Sequence, residues 1–148
     1  LYCAAHKDLF NGEIVGYAMG PRMTKELIAR SLFRAVKTRR PPRGLIHHSD
    51  RGSQYCSASY QKLLAQFSMT SSMSRKGNCY DNAPIESFWG TMKNELIHHR
   101  RYITRKEAIR EIAEYIEVFY NRERRQKRLG YVSPIAYLRN YHARQAAA

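Results

Sequence analysis

Apolar positions come in two short runs at the start of the chain and take up a helical period after residue 24. The runs "LYCAAHK" (residues 1–7) and "EIVGYAM" (13–19) flank a turn that contains Asn11-Gly12, a dipeptide that favours a β-hairpin. From Thr24 to Val36 apolar side chains recur every three or four residues, which predicts an amphipathic helix. Prolines in the following "KTRRPPRG" end that helix.

The next segment returns to short apolar runs and then to a helical pattern. "GLIHHSD" (44–50) predicts a short strand that ends in the polar residues Ser49 and Asp50. Apolar side chains then share one face over residues 53–67, which predicts a helix, and "SMTSSM" (68–73) indicates a second short strand. Strands that alternate with helices along the chain are typical of an α/β fold.

The second half of the chain is mainly helical. A loop at residues 74–82 precedes a helix predicted over 83–98, and Thr104 and Glu107 have the spacing of a capping box before another helix. From Asn121 the sequence is basic and irregular, with a short helix predicted after residue 134. These patterns predict a core domain at residues 1–120 and a basic C-terminal extension at 121–148.

Charge narrows the class of partner. Lys and Arg number 26 against 12 Asp and Glu, which gives a formal net charge of +14 and a pI near 10.1. An excess of this size favours a polyanion, most simply nucleic acid, and the lack of a long uncharged apolar run argues against a membrane. Cys3, Cys56 and Cys79 have no CxxC spacing, which indicates neither a disulfide framework nor a zinc site and fits the cytoplasm.

Three residues are candidates for metal-dependent chemistry. Asp50 stands at the end of a predicted strand, and Glu86 at the start of a predicted helix, where a carboxylate is favoured in its ionised form. Lys93 follows seven residues after Glu86 and lies on nearly the same helical face. Ionised oxygens are what Mg²⁺ requires. General physical chemistry leaves an alternative for each of the three residues. Asp50 could be an ordinary turn residue, Glu86 a helix-capping residue and Lys93 a solvated surface lysine.

Three longer stretches resemble one family closely. "HSDRGSQY" (48–55), "SRKGNCYDNAPIESFWGTMKNEL" (74–96) and "YNRERRQKRLGYVSP" (120–134) resemble the DDE transposases of the bacterial insertion-sequence-three family, relatives of retroviral integrases. The resemblance extends to "KDLFNGEIVGYAMG" (7–20). It implies a ribonuclease H-like α/β fold, with a mixed sheet flanked by helices. It also implies a polynucleotidyl transferase that cuts transposon ends and joins them to target DNA in the bacterial cytoplasm, in association with the nucleoid.

The resemblance also implies roles for individual residues. Asp50 and Glu86 match the family's second and third acids, with 35 residues between them, and Lys93 matches a basic residue that follows the third acid. These acids would hold Mg²⁺ or Mn²⁺, with two ions in the intact enzyme. The family's first acid lies on a strand upstream of the hairpin, whereas Asp8 matches a turn residue of the "KDLF" motif. We therefore expect a fragment that lacks the first strand, forms the C-terminal portion of the protein and is inactive alone.

Basic residues near these motifs are candidate DNA contacts. Clustered positive charge can position DNA through its phosphates without reading its sequence, although a solvated surface is the alternative. The candidates are Arg51, Arg75, Lys76, Lys93, Arg122, Arg124, Arg125, Lys127 and Arg128. The expected partner is double-stranded DNA, both transposon ends and target, and the resemblance implies a homo-oligomer. The other functional hypothesis is a non-catalytic DNA-binding remnant or regulator derived from a transposase.

Overall fold

The chain folds into two compact units. The computed structural model describes the backbone of residues 1–148 and every side chain except that of Cys79. One unit contains residues 1–6 and 15–89, and the other contains residues 7–14 and 90–148. The sequence predicts a different division, into a core domain at residues 1–120 and a C-terminal extension at 121–148. The two compact units do not test that division, which stays a prediction.

The predicted β-hairpin is confirmed. Strands β1 (Tyr2–Lys7) and β2 (Ile14–Gly20) pair in a two-stranded sheet. Asp8 belongs to the turn, because its carbonyl oxygen accepts a hydrogen bond from Gly12 N at 2.8 Å and its Oδ1 accepts one from Phe10 N at 2.9 Å. Gly12 has a φ of 79°, a left-handed conformation that glycine adopts without steric cost.

Helix α1 (Lys25–Arg39) packs over the first unit's core. It begins at Thr24, whose hydroxyl accepts a hydrogen bond from Leu27 N at 3.2 Å. It runs past the predicted end at Val36 and stops at Arg40, which adopts a left-handed φ of 45°. The buried core of this unit comprises Ala4, Ala18, Leu27, Ile28, Leu32, Tyr60 and Leu64.

A parallel pair of strands forms the second sheet. β3 (Ile46–Ser49) pairs with β4 (Thr70–Met73) so that the first residues of the two strands lie opposite each other, as do the last. Parallel neighbours need a crossover connection, and the helices between residues 53 and 66 supply it. The register places the ends of both strands, and the residues that follow them, at one edge of the sheet.

The prediction of one continuous helix over residues 53–67 is wrong. The segment forms α2 (Ser53–Cys56) and α3 (Ala58–Gln66), with Ser57 between them in an extended conformation. The Ser57 hydroxyl accepts a hydrogen bond from Tyr60 N at 3.3 Å. A serine that caps the next helix in this way competes locally with continuation of the previous one.

The helix that carries Glu86 is α4 (Ala83–Glu95), and it follows a 3₁₀ turn over Cys79–Asn82. Within α4, the side chain of Phe88 is completely buried. The next helix, α5 (Arg105–Glu114), has the predicted start, because the Thr104 hydroxyl accepts a hydrogen bond from Glu107 N at 3.1 Å.

The second unit contains a π-helix that the sequence did not predict. It spans Tyr115–Glu123 and continues directly from α5. Near its end, Asn121 Oδ1 accepts a hydrogen bond from Ile14 N at 2.9 Å, and Asn121 Nδ2 donates one to Ile14 O at 3.0 Å. The final helix, α6 (Pro134–Ala147), is longer than the short helix predicted there, with 14 residues.

The sequence predicts that the cysteines form no disulfide framework and that the chain does not span a membrane. Cys3 and Cys56 are free thiols, and the side chain of Cys79 lies outside the described residues. Within the part of the chain that the structure describes, no helix combines the length and the apolar character needed to cross a bilayer.

Candidate active site

Asp50 is an exposed carboxylate held by the turn that follows β3. Its Oδ1 accepts a hydrogen bond from Gly52 N at 2.7 Å. A Cβ atom on Gly52 would lie 2.8 Å from that oxygen, so a glycine at this position allows the close approach. Among the described residues, the second carboxylate oxygen of Asp50 has no hydrogen-bond partner. It is therefore available to a cation.

Ser74 connects the end of β3 with the start of α4. It directly follows β4, and its backbone N donates a hydrogen bond to Ser49 O at 2.9 Å. Its hydroxyl lies 2.6 Å from Asn82 Oδ1 and donates to that oxygen, and Asn82 is the residue immediately before α4. The segment that carries Asp50 is thus hydrogen-bonded, through one serine, to the residue from which α4 begins.

Glu86 lies in the first turn of α4, four residues after Asn82. Its side chain is exposed and forms no hydrogen bond or ion pair with the side chains that the structure describes. The N-terminal end of a helix stabilises an ionised carboxylate. The structure therefore joins the segments of Asp50 and Glu86 within one unit, while their sharing of an ion stays a prediction.

Ser74 also organises two neighbours of Asp50. Arg51 Nε donates a hydrogen bond to Ser74 O at 2.8 Å. His48 Nδ1 lies 3.0 Å from the Ser72 hydroxyl, and His48 Nε2 lies 3.2 Å from the Ser74 hydroxyl. Both ring nitrogens are occupied in this way, which favours a structural role for His48 over metal ligation.

Sequence reasoning missed Ser74 and Asn82. Neither residue is charged, and their importance depends on the parallel register of β3 and β4. A signal was present, because polar residues after neighbouring parallel strands meet at one edge of a sheet, and Ser74 stands one residue beyond a predicted strand. An asparagine just before a helix is likewise a residue that hydrogen-bonds locally.

The segment between β4 and α4 is ordered by its own side chains. Asp81 Oδ2 accepts a hydrogen bond from Arg75 N at 3.0 Å, and Asn78 Oδ1 accepts one from Tyr80 N at 3.1 Å. Arg75 and Lys76 are exposed, and neither side chain forms an ion pair with another described residue. Their predicted contact with DNA stays a prediction.

The basic residues of the second unit that are predicted to contact DNA differ in whether they form ion pairs within the protein. Lys93 and the cluster of Arg122, Arg125, Lys127 and Arg128 are exposed and form no ion pair with any described side chain. Arg124 differs, because its Nη2 lies 2.7 Å from Glu95 Oε1. The guanidinium predicted to contact DNA is thus paired within the protein.

Asp50 and Glu86 are the predicted metal ligands in the described part of the chain. Asp50 and Glu86 supply the hard oxygen ligands that suit Mg²⁺. Among the side chains described, however, no three His, Cys, Asp or Glu residues are grouped closely enough to hold an ion. The binding of an ion by Asp50 and Glu86 therefore stays a prediction.

Comparisons with known proteins agree on one family. Two profiles described as integrase core domain match residues 1–79 and 86–141. The 31 kDa protein of insertion element IS600 from Shigella sonnei is 61% identical over 142 residues, which cover 96% of this chain and 52% of that protein. The transposase for insertion sequence element IS904 from Lactococcus lactis is 48% identical over 134 residues, which cover 90% of this chain and 53% of that protein.

A third relative is transposase InsF for insertion sequence IS3A from Escherichia coli, 45% identical over 134 residues, covering 90% of this chain and 46% of that protein. The chain therefore spans about half the length of the curated relatives it matches.

A solved structure supports the fold. A chain of the simian T-cell lymphotropic virus intasome, determined in complex with PP2A regulatory subunit B56 gamma, superposes with a TM-score of 0.64. The sequence identity is 17%, and the match covers 79% of this chain and 42% of that chain. The predicted α/β, ribonuclease H-like architecture is confirmed. From these matches, the chain belongs to the integrase core domain family, within the DDE transposases of the insertion-sequence-three type.

Proposed function

We propose that this chain forms the catalytic core of a transposase that cuts transposon ends and joins them to target DNA by phosphodiester transfer. One observation carries the proposal: Ser74 bonds the end of β3, beside Asp50, to Asn82 at the start of the helix that carries Glu86. Two carboxylates far apart in the sequence are thereby presented from hydrogen-bonded segments, as a shared metal site requires.

The residues of the chain have distinct tasks in this proposal. Members of the family use divalent metal ions, and Asp50 and Glu86 would hold Mg²⁺ or Mn²⁺. When bound, the two ions would stabilise the attacking and leaving oxygens of the scissile phosphate. Gly52 N fixes the Asp50 carboxylate, and Glu86 is presented from the first turn of α4. Lys93, two turns along α4, would hold a non-bridging phosphate oxygen by its charge.

The chain by itself is proposed to be inactive. Asp50 and Glu86 are two acids, and no cluster of three metal-binding side chains occurs among the described residues. Two carboxylates leave most of the six positions around Mg²⁺ to water. We therefore expect weak Mg²⁺ binding and no nicking of DNA until a further acid is supplied.

Double-stranded DNA and a second copy of the protein are the proposed partners. The exposed basic residues 122, 125, 127 and 128 form no ion pairs in the described structure, which suits contact with phosphates. Relatives are named as transposases, and the structural relative is part of an intasome. Joining two transposon ends requires that both are held together, so we propose a homo-oligomer.

The test is cleavage of a transposon end by the complete transposase that contains this chain. Asp50→Asn and Glu86→Gln are each expected to slow Mg²⁺-dependent cleavage roughly 100-fold or more, because bound ions contribute several kcal/mol to such reactions. DNA affinity should change little. Glu123→Gln, at an exposed glutamate with no partner in the described structure, serves as the matched control.

Two results would contradict the assignment. Full cleavage by either variant would remove that acid from the site. An equal loss on Asp8→Asn would mean that the hairpin aspartate, which we place in a turn, belongs to the metal site.

A second function, DNA binding without catalysis, is favoured by the incomplete set of acids and the net charge of +14. It predicts that the complete protein binds duplex DNA but shows no metal-dependent cleavage of any transposon end. Cleavage that requires Asp50 and Glu86 would eliminate this alternative.

A further inference from the structure

Three donor groups converge on the carboxylate of Glu95, the last residue of α4. Arg124 Nε donates to Oε1 at 2.8 Å and to Oε2 at 2.9 Å, and Arg124 Nη2 lies 2.7 Å from Oε1. The Tyr115 hydroxyl donates to Oε2 at 2.6 Å. An arginine that engages both oxygens of a carboxylate forms a charge-assisted pair of defined orientation, unlike most surface ion pairs.

The π-helix provides the other side of this cluster, which we call the Glu95 latch (Glu95, Tyr115 and Arg124). In an α-helix, residues five apart differ by about 140° around the axis. Hydrogen bonds in a π-helix span five residues, so Tyr115 and Tyr120 fall on nearly the same side, with ring centroids 6.2 Å apart. The Arg124 guanidinium lies 5.9 Å from the Tyr120 ring centroid, within cation–π range.

The charges of the latch are mutually satisfied. Partial burial acts to raise the pKa of Glu95, but the hydrogen bonds from Arg124 and Tyr115 outweigh it and leave that pKa below its usual value. The hydrogen bond to Glu95 raises the pKa of Arg124. Both groups are therefore fully ionised at neutral pH, and little of the positive charge of Arg124 is left for a phosphate.

We infer that Arg124 is a positioning residue for strand transfer, which it supports by holding Glu95 and so fixing the last turn of α4, the turn that carries Lys93. The inference rests on the proposed transposase function. It replaces a direct contact between Arg124 and DNA with an indirect role. Lys93 lies two residues before Glu95 in the same helix, so loosening the latch would let the Lys93 ammonium drift from its phosphate.

The experiment compares Arg124→Lys, Arg124→Gln and Glu95→Gln in the complete transposase. Lysine keeps the charge but cannot form the bidentate pair. All three variants are expected to lower kcat for strand joining roughly 10- to 100-fold, because small displacements of a positioned group have effects of this size. KM for DNA and the dependence of DNA binding on salt should stay near those of the wild type. Glu123→Gln is the control for loss of a carboxylate.

A direct phosphate contact predicts a different pattern. Arg124→Lys would then retain most activity, Glu95→Gln would not impair binding, and Arg124→Gln would reduce the salt dependence. That outcome overturns the inference. Recovery of kcat in the reversed pair Glu95→Arg/Arg124→Glu, beyond either single substitution, would support it, because only an interaction between the two residues predicts rescue.

Hydrogen exchange separates failure of this inference from failure of the proposed function. Amides in the last turn of α4 should exchange faster in Arg124→Lys than in the wild type whether or not the protein joins DNA. If Arg124→Lys showed the amide exchange and the strand joining of the wild type, the positioning role of the latch would be rejected and the transposase function would be retained. Faster exchange in Arg124→Lys, combined with a wild-type protein that does not join DNA, would reject the transposase function and leave the latch as a structural contact.

Discussion

At the scale of single residues, the partly buried His6 and the buried His47 support the strand that precedes Asp50. His6 Nε2 lies 3.1 Å from His47 Nε2 and 3.2 Å from the Tyr60 hydroxyl. The Ser31 hydroxyl donates to Ile28 O, so His6 Nδ1 must donate its proton to Ser31. Burial and the neighbouring imidazole lower the pKa of His6 to about 3, and burial lowers the pKa of His47 to about 4.

These histidines make the stability of the protein sensitive to mild acid. Both imidazoles have a lower pKa folded than unfolded, so the unfolded chain binds more protons as pH falls below about 6.5. Their contribution is complete above that pH and is lost as pH falls towards 4. From pH 7 to pH 5 we expect the free energy of unfolding to drop by about 2 kcal/mol per histidine, measured by urea denaturation.

His47→Gln should remove about half of that drop, whereas His142→Gln, at an exposed position of α6, should leave it unchanged. Carboxylates titrate mainly below this window, so they add little to the difference. A stability that stays flat between pH 7 and pH 5 would mean that the two rings take up protons in the native state as readily as they do in the unfolded chain.

At the scale of elements, the sequence predicts what depends on local periodicity. The hairpin, α1, the two short strands and the start of α5 follow from residue spacing and capping residues. The motifs around Asp50 and Glu86 identify these two residues as candidate metal ligands, which stays a prediction. The break at Ser57 depends on one hydroxyl that competes with a regular helix. At the end of the π-helix, Asn121 bonds to Ile14, and Arg124, the residue that follows the helix, bonds to Glu95. Both partners are distant in sequence, so local periodicity could not reveal these contacts. Ser74 becomes part of the site only through strand register.

The packing of β2 against α1 leads to a prediction at the same scale. A Cβ atom on Gly16 would lie 2.3 Å from Ser31 O and 2.5 Å from Ala35 N, both backbone atoms of α1. Gly16→Ala must therefore push the helix away from the strand, and we expect a loss of about 2–3 kcal/mol in the free energy of unfolding, measured by chemical denaturation.

Gly90→Ala is the matched control for this substitution. Gly90 lies inside α4, and a Cβ atom there would meet nothing within 4 Å. Alanine is the better helix former, so this variant should gain up to about 1 kcal/mol. If Gly16→Ala were as stable as the wild type, the strand and the helix could not be in the close contact seen here.

At the scale of the whole molecule, the charge of +14 is divided between paired and unpaired groups. Arg100 pairs with Glu111 at 3.5 Å, and Arg124 pairs with Glu95. Arg122 and Arg125 are exposed and form no ion pairs with described residues. Net charge alone predicts attraction to any polyanion. Contact with DNA phosphates depends instead on which of these cations are free.

That distinction can be measured from the salt dependence of DNA binding. Each phosphate contact changes the slope of log K against log salt by about 0.9. If Arg122 and Arg125 contact the backbone, Arg122→Gln/Arg125→Gln should reduce the slope by nearly 2, and by the same amount for transposon ends and unrelated duplexes, because phosphates carry no sequence information. Arg100→Gln, which removes a charge already paired, should leave the slope unchanged. Equal slopes for all three proteins would assign Arg122 and Arg125 to the solvated surface and require that the DNA be held elsewhere.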